Sequence, residues 1–281
     1  MKRGWEPWIL AGPSIVLYIV FTLSPLVVSV LTSVFDFGYY GEGFIGLRAF
    51  KEVFAHKRIF EAAWTTIKYT GVLLPLSMAA AIGISVVLSW TGEKLRTIGR
   101  ALYFIPTSVS IFMVTIAWRY ILSVNGALNH LLGAETLWLA SNPLAFWTTT
   151  VVALSVSVGA LPIYIMGAFL SIDDEVLEAA KLDGCSRLQE AWHIKIPMIA
   201  PVLIFLTIQR LAGFLQIWQV PYSLTGGGPN YGTNTLVLHL IQTGFVQRDL
   251  PQGAVMSLFL LLIVLGVLIP YRLISGKRIL D

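Results

Sequence analysis

Asp173, Asp174, Glu175 and Glu178 form an acidic cluster, and Asp174 and Glu178, four residues apart, fall on one face of a helix. Carboxylates so placed can hold Mg²⁺ against a diphosphate. The same run also reads as charges opening a helix, where acids favour the positive end of the dipole. His56, His130, His193 and His239 sit in separate segments, none at a metal-ligand spacing or beside a nucleophile, and all four read as structural. Cys185 is the single cysteine, which excludes an internal disulfide and argues against a cysteine-based metal site. Leu224 to Pro229, L-T-G-G-G-P, is glycine-rich but lacks the G-K-[ST] ending that holds phosphate and Mg²⁺. It reads as a tight turn, and no nucleotide site is expected.

Arg210 is the most costly side chain in the sequence. It lies about 12 residues, or roughly 18 Å of helix, into an apolar run. Every Asp and Glu falls in a loop or at a span end. A charge at that depth requires water, backbone carbonyls or a partner protein around it. Other polar groups inside apolar runs are Tyr103 and Thr107 flanking Pro106, Ser155 and Ser157, and Gln209, Gln216 and Gln219. Such groups line a cavity or meet a partner, so they are candidates for a translocation path. Arg119 and Lys68, near span ends, read as snorkelling cations.

The elements that position these groups are membrane helices. The chain has 281 residues, 56% hydrophobic and 12% charged, with a mean hydropathy of +0.77. That composition excludes an ordinary soluble domain. Apolar runs predict an all-α, polytopic single transmembrane domain over 1–281, with six spans near 7–35, 64–90, 100–122, 145–170, 198–220 and 253–273. The first run is too long for a signal-peptide core and lacks a cleavage pattern. The net charge of +4 is not gathered into one face, so nucleic acid is not an expected partner. Lys2, Arg3, Lys94, Arg96, Arg100, Lys181, Arg187, Lys195, Arg272, Lys277 and Arg278 share one side in this scheme, and mainly Arg48, Lys51, Lys57, Arg58 and Arg248 lie on the other. The positive-inside rule makes the first side, with both termini and the loop at 171–197, cytoplasmic.

That loop is the longest polar, helix-prone stretch between spans. Gly184 supplies a φ > 0 stop for a first short helix. Ser186 and Gln189 have the spacing of a capping box for a second, running to about His193. Pro197 is expected to end it and redirect the chain into the membrane.

The residues E-A-A at 178–180, D-G at 183–184 and I-x-I-P at 194–197 resemble the EAA loop of binding-protein-dependent ABC importer permeases. L-T-G-G-G-P resembles a signature of the maltose and glycerol-3-phosphate type, and looks more like the first permease of a pair. W-T-T-I-K at 64–68 and F-I-G-L-x-x-F at 44–50 are weaker matches. The resemblance implies an inner-membrane permease that does no chemistry. In that reading Glu178, Ala179, Ala180, Asp183 and Gly184 form a coupling helix docking on an ATP-hydrolysing subunit. It implies as partners a second permease chain, two ATP-binding subunits that hold ATP and Mg²⁺, an external solute-binding protein and membrane lipid. The family's substrate contacts map onto Tyr103, Thr107, Arg210 and Phe214. Arg210 stands where a maltose-type site has small polar or amide groups, which admits an acidic or phosphorylated solute beside a neutral sugar. An ion-coupled carrier would need an acid inside a span. A membrane enzyme acting on lipid-linked sugars would need the acidic cluster as its metal site.

Overall fold

The computed structural model describes residues 6–38, 41, 43–104 and 108–280. Its contacts divide it into two compact units, Met1–Glu61 with His239–Ile263 and Ala62–Leu238 with Val264–Asp281.

In the first unit, α1 (Glu6–Tyr18) and α2 (Ser24–Val34) are joined by a π-helical turn, Ile19–Leu23. Pro25 has no N–H to donate, and the wider turn accommodates it: the Ser24 N–H reaches back to the Ile19 carbonyl. Leu17, Phe21 and Val27 are exposed, as suits a helix solvated by lipid. A two-residue hairpin, β1 (Phe35–Asp36) with β2 (Gly43–Phe44), and α3 (Arg48–Ala55) form a small folded segment. The strongly amphipathic α3 buries Ala49 and Val53. Ser29 and Ser257 share a 2.7 Å hydrogen bond, and Phe54 and Phe60 pack on the Phe259 ring.

The second unit carries most of α4 (Lys57–Ser89), followed by α5 (Glu93–Phe104), α6 (Ile111–Ile121) and the short α7 (Ala127–Leu132). The stretch between the expected second and third spans, 91–99, is helical from Glu93 onward and forms the first part of α5. Over the expected third span, 100–122, the described backbone forms two helices, with Pro106 between them in sequence. Among the described residues, 108–110 are not α-helical and α6 starts afresh at Ile111. The fourth span is also divided: α8 (Leu144–Ser157) and α9 (Leu161–Phe169) meet at a 44° bend.

The polar loop holds α10 (Asp174–Leu182) and α11 (Arg187–Glu190). After it come α12 (Ile196–Met198), α13 (Ala200–Leu215) and α14 (Gln219–Thr225), then α15 (Leu236–Ile241) and α16 (Leu250–Leu280). Among the described residues four helices are long and apolar enough to cross a membrane, five if the bent pair counts as one.

Two apolar clusters hold this unit. One surrounds Leu161, Ile165 and Phe169, and the other surrounds Tyr69, Leu73 and Val152. The Tyr69 hydroxyl shares a 2.5 Å hydrogen bond with Thr149. Buried Thr66, Thr70, Ser85 and Thr150 donate to carbonyls four residues back, so these hydroxyls need no water.

Candidate functional site

The loop between the fourth and fifth spans folds into its two short helices at a sharp corner. α10 begins after Asp173, with Asp174 and Glu175 in its first turn and Lys181 in its last, matching the helix dipole at both ends. Gly184, at φ +79°, turns the chain, and the Cys185 N–H reaches back to Ala180 O. α11 starts with a complete capping box: the Gln189 N–H donates to Ser186 Oγ, and the Ser186 N–H donates to Gln189 Oε1.

Pro197 does not end this element. A π-helical turn, Ala191–Lys195, lets the Ile196 N–H reach the Ala191 carbonyl, and the chain winds on into α12 and α13. This corrects the expected stop. The wide turn takes up the missing proline donor, as at Pro25.

The corner presents a mixed surface. Ala180 is buried and Leu177 packs toward the Leu161 cluster, so this face of α10 belongs to the chain's own core. Glu178, Ala179, Leu182 and Asp183 are exposed, with Leu182 89% accessible. Of the five residues named for docking, Ala180 therefore supports the helix from behind, while Glu178, Ala179 and Asp183 face outward and Gly184 sets the corner.

A second arrangement lies within the spans. A cavity of 430 Å³ is lined by Ser157, Tyr164, Gln209, Arg210, Phe214 and Gln219, among others. Its volume falls within the roughly 300–1,000 Å³ common for small-molecule sites. Among the described residues, Arg210 Nε is buried without a hydrogen-bond partner. Phe214 is mostly packed into the Tyr69 cluster, with only 6% of its surface accessible.

Other candidates stand apart. Ser155 donates to its own helix at Val152 O, Gln216 Nε2 donates to Ala212 O, and neither lines the cavity. Tyr103 is half-buried on α5, outside the lining. Thr107 lies outside the described residues. Tyr164 was missed because the bend between α8 and α9, which brings it opposite Arg210's helix, leaves only Pro162 as its mark in the sequence.

The glycine-rich stretch is a tight turn. Gly226 and Gly227 have φ of +61° and +94°, and a Cβ on Gly227 would meet Asn234 at 3.2 Å. Thr233 Oγ1 lies 2.6 Å from Thr225 Oγ1 and donates to Gly228 O at 2.8 Å, closing the loop on itself. Asn142 Nδ2 donates to Pro229 O at 3.0 Å. The turn's own side chains fill it, in keeping with a structural role.

Apolar helices around an intramembrane cavity with a lone arginine, and an amphipathic corner between two spans, define a membrane permease. Residues 71–278 match the family described as binding-protein-dependent transport system inner membrane component. The chain belongs to that family and is a permease component of such a transport system. It is 26% identical to the sn-glycerol-3-phosphate transport system permease protein UgpA of Escherichia coli O6:K15:H31, over 98% of this chain and 96% of that one. With the probable ABC transporter permease protein YurN of Bacillus subtilis it shares 25% identity, over 93% and 92% of the two chains. The fold matches a chain of a bacterial ABC transporter involved in import of the acidic polysaccharide alginate, with TM-score 0.85 and 18% identity, over 98% and 96%. The MetNI methionine ABC transporter matches with TM-score 0.60 and 16% identity, over 78% of this chain and 94% of that one.

Proposed function

We propose that this chain forms half of the translocation path of an ATP-driven importer for a sugar or sugar-like solute, working by alternating access. The observation that carries this reading is the pairing of an exposed two-helix corner with a polar-lined cavity in the spans the corner feeds. A rigid corner continuous with α13 can move the helix that bears Gln209 and Arg210, so a push on the loop would be felt at the cavity.

The chain itself does no chemistry in this reading. ATP and Mg²⁺ belong to two partner subunits, on which the corner docks through Glu178, Ala179, Asp183 and the exposed Leu182. A second permease chain completes the path, and an external solute-binding protein delivers the solute. The basic residues near the loop at 171–197 and near both ends of the sequence support a cytoplasmic side for all three. One solved relative is described in complex with an alginate pentasaccharide-bound periplasmic protein, which supports the delivery step.

Arg210 favours a solute with a carboxylate or phosphate. A cation in a low-dielectric cavity gains most from an anionic group, and a guanidinium matches such groups with two parallel hydrogen bonds. Two relatives are named for glycerol-3-phosphate and for an acidic polysaccharide.

Purification from native membranes in mild detergent, followed by an ATPase assay, tests the proposal. An ATPase subunit should accompany the wild-type chain, and Gly184→Val should detach it or uncouple hydrolysis from transport. A chain that purifies without an ATPase would remove the coupling role.

A further inference from the structure

The turn between α4 and α5 and the two-helix corner, far apart in the sequence, enclose one space in the second unit. Trp90, just past the end of α4, lines a cavity of 600 Å³ with Arg96 of α5, Lys181 of α10, Cys185 at the glycine corner and Arg187 of α11. Phe169 and Leu170, at the end of α9, give it an apolar wall.

Arg96 is drawn back over the end of α4. Its Nη2 donates to Thr91 O at 3.1 Å and to Ser89 O at 3.4 Å, carbonyls that a helix end leaves without an intrahelical donor. Those bonds fix the guanidinium, yet its Nε is buried without a hydrogen-bond partner.

The cations around this space outnumber the acids. Four cationic side chains and two carboxylates line it. Glu190 is taken by Lys195 at 2.7 Å, which leaves Asp174 to face Arg96, Lys181 and Arg187. Among the described residues none of those three cations is in an ion pair with a carboxylate. Asp173, Glu175, Glu178 and Asp183, the other acids of the corner, are exposed and lie outside the lining. The positive-inside rule asks for cations on one side of a membrane, not for three of them around one cavity.

We propose that this cavity is an anion site, taking a phosphate-class group held by Arg96, Lys181 and Arg187. Such a group gives the Arg96 Nε its missing acceptor, and charge-assisted hydrogen bonds from two guanidinium groups suit phosphate oxygens. It bridges α5, α10 and α11, so an occupied cavity fastens the corner to the span ends. None of these residues lines the Arg210 cavity, and the binding does not depend on the corner being a docking element. Basic pockets at the ends of membrane helices suit phospholipid headgroups as well as soluble phosphate. Leu170, 56% exposed at the rim, offers an acyl chain a path, so the group can come from either source.

The test uses the intact transporter in nanodiscs, read by mass spectrometry of the Cys185 peptide. Cys185, the single cysteine of the chain, is half-buried in the lining and reports occupancy. In phosphatidylcholine discs a thiol reagent carrying a sulfonate should label it about tenfold faster than one carrying a quaternary ammonium, after correction for their rates with a small free thiol. Inorganic phosphate, replacing chloride at constant ionic strength, should remove that preference. Lys181→Gln with Arg187→Gln should lower the preference and abolish the phosphate effect, and Arg187→Lys should keep part of both. Arg96→Gln should act in the same direction; because Arg96 also holds the end of α4, the double variant carries the test if that protein does not fold. Uncharged N-ethylmaleimide then identifies the source. Protection of Cys185 in phosphatidylglycerol discs without phosphate, lost in the double variant, assigns the occupant to lipid. Protection by phosphate alone assigns it to a soluble anion. Labelling that neither phosphate nor phosphatidylglycerol changes, or that changes equally in the double variant, overturns the site.

Discussion

Lys195 Nζ and Glu190 Oε1 lie 2.7 Å apart across the Ala191–Lys195 turn, each side chain only 9% exposed, and the ammonium sits 5.9 Å from the centre of the Phe169 ring. The pair closes the corner onto the second unit's core at the point where loop becomes span. Removing one member leaves a desolvated charge. Lys195→Met should therefore cost about 3–5 kcal/mol, whereas Glu190→Leu combined with Lys195→Met should cost much less than the sum of the single changes. Thermal unfolding of the four proteins in detergent checks this, and additive losses would mean that the two charges act independently.

Gly184 has open space around it, with no atom within 4 Å of where a Cβ would stand, so its φ of +79° is the only bar to a side chain. Valine there should cost at least about 1–2 kcal/mol, since a Cβ strains the left-handed region and β-branching adds to it. Asparagine, which tolerates this conformation, should be milder. Coupled ATPase activity should follow the order glycine, asparagine, valine. Equal activity in all three would show that the corner's angle does not matter.

Arg210→Met keeps the length of the side chain and removes its charge. If the cavity takes an acidic solute, uptake of that solute should fall tenfold or more, in line with about 1.5–3 kcal/mol for a hydrogen bond to a charged group. Arg210→Lys should restore part of it. A neutral solute carried equally well by all three would leave the arginine with a packing role. The measurement is initial uptake into proteoliposomes with the complete complex.

Burial holds His239 below the ordinary histidine range, with Arg58 and His56 adding to it, and this sets a direction with pH. Its folded-state pKa lies below the unfolded value of about 6.5, so the unfolded chain binds more protons between the two values and stability rises with pH across that window. The His239 contribution should be fully present above about pH 6.5 and lost as pH falls through the folded pKa. His239→Gln should flatten the slope. Unfolding midpoints between pH 5 and 8 measure it; an unchanged slope would place the acid sensitivity elsewhere.

The spans were legible because lipid imposes long apolar runs, and α4, α13 and α16 follow those runs. The corner was legible for a different reason. Ser186 with Gln189 and the glycine at 184 are local chemistry, and local chemistry is written in adjacent residues. Pro197 misled because a proline forbids one hydrogen bond without saying whether the helix stops or widens, and the wide turn keeps the chain helical. Which way a polar side chain points was not legible. Ser155 and Ser157 differ by two positions, yet only the second lines the cavity. A serine that bonds its own helix carbonyl leaves no trace of its face in the sequence. The meeting of His56 with His239 in one cavity depends on how α3 and α15 pack, and no short window contains it.

The π-helical turn before Pro197 stores one extra residue relative to a regular helix. A residue of slack is also about 100° of rotation. The faces on either side of the turn are thus phased by its width as well as by their own sequences. Deleting one residue from Ala191–Lys195 would satisfy ordinary helix geometry while turning everything beyond it about a quarter of the way round. Arg210 would then swing off its cavity, although no residue of the corner or the cavity had been replaced. The loop and the path are held in register by a single wide turn.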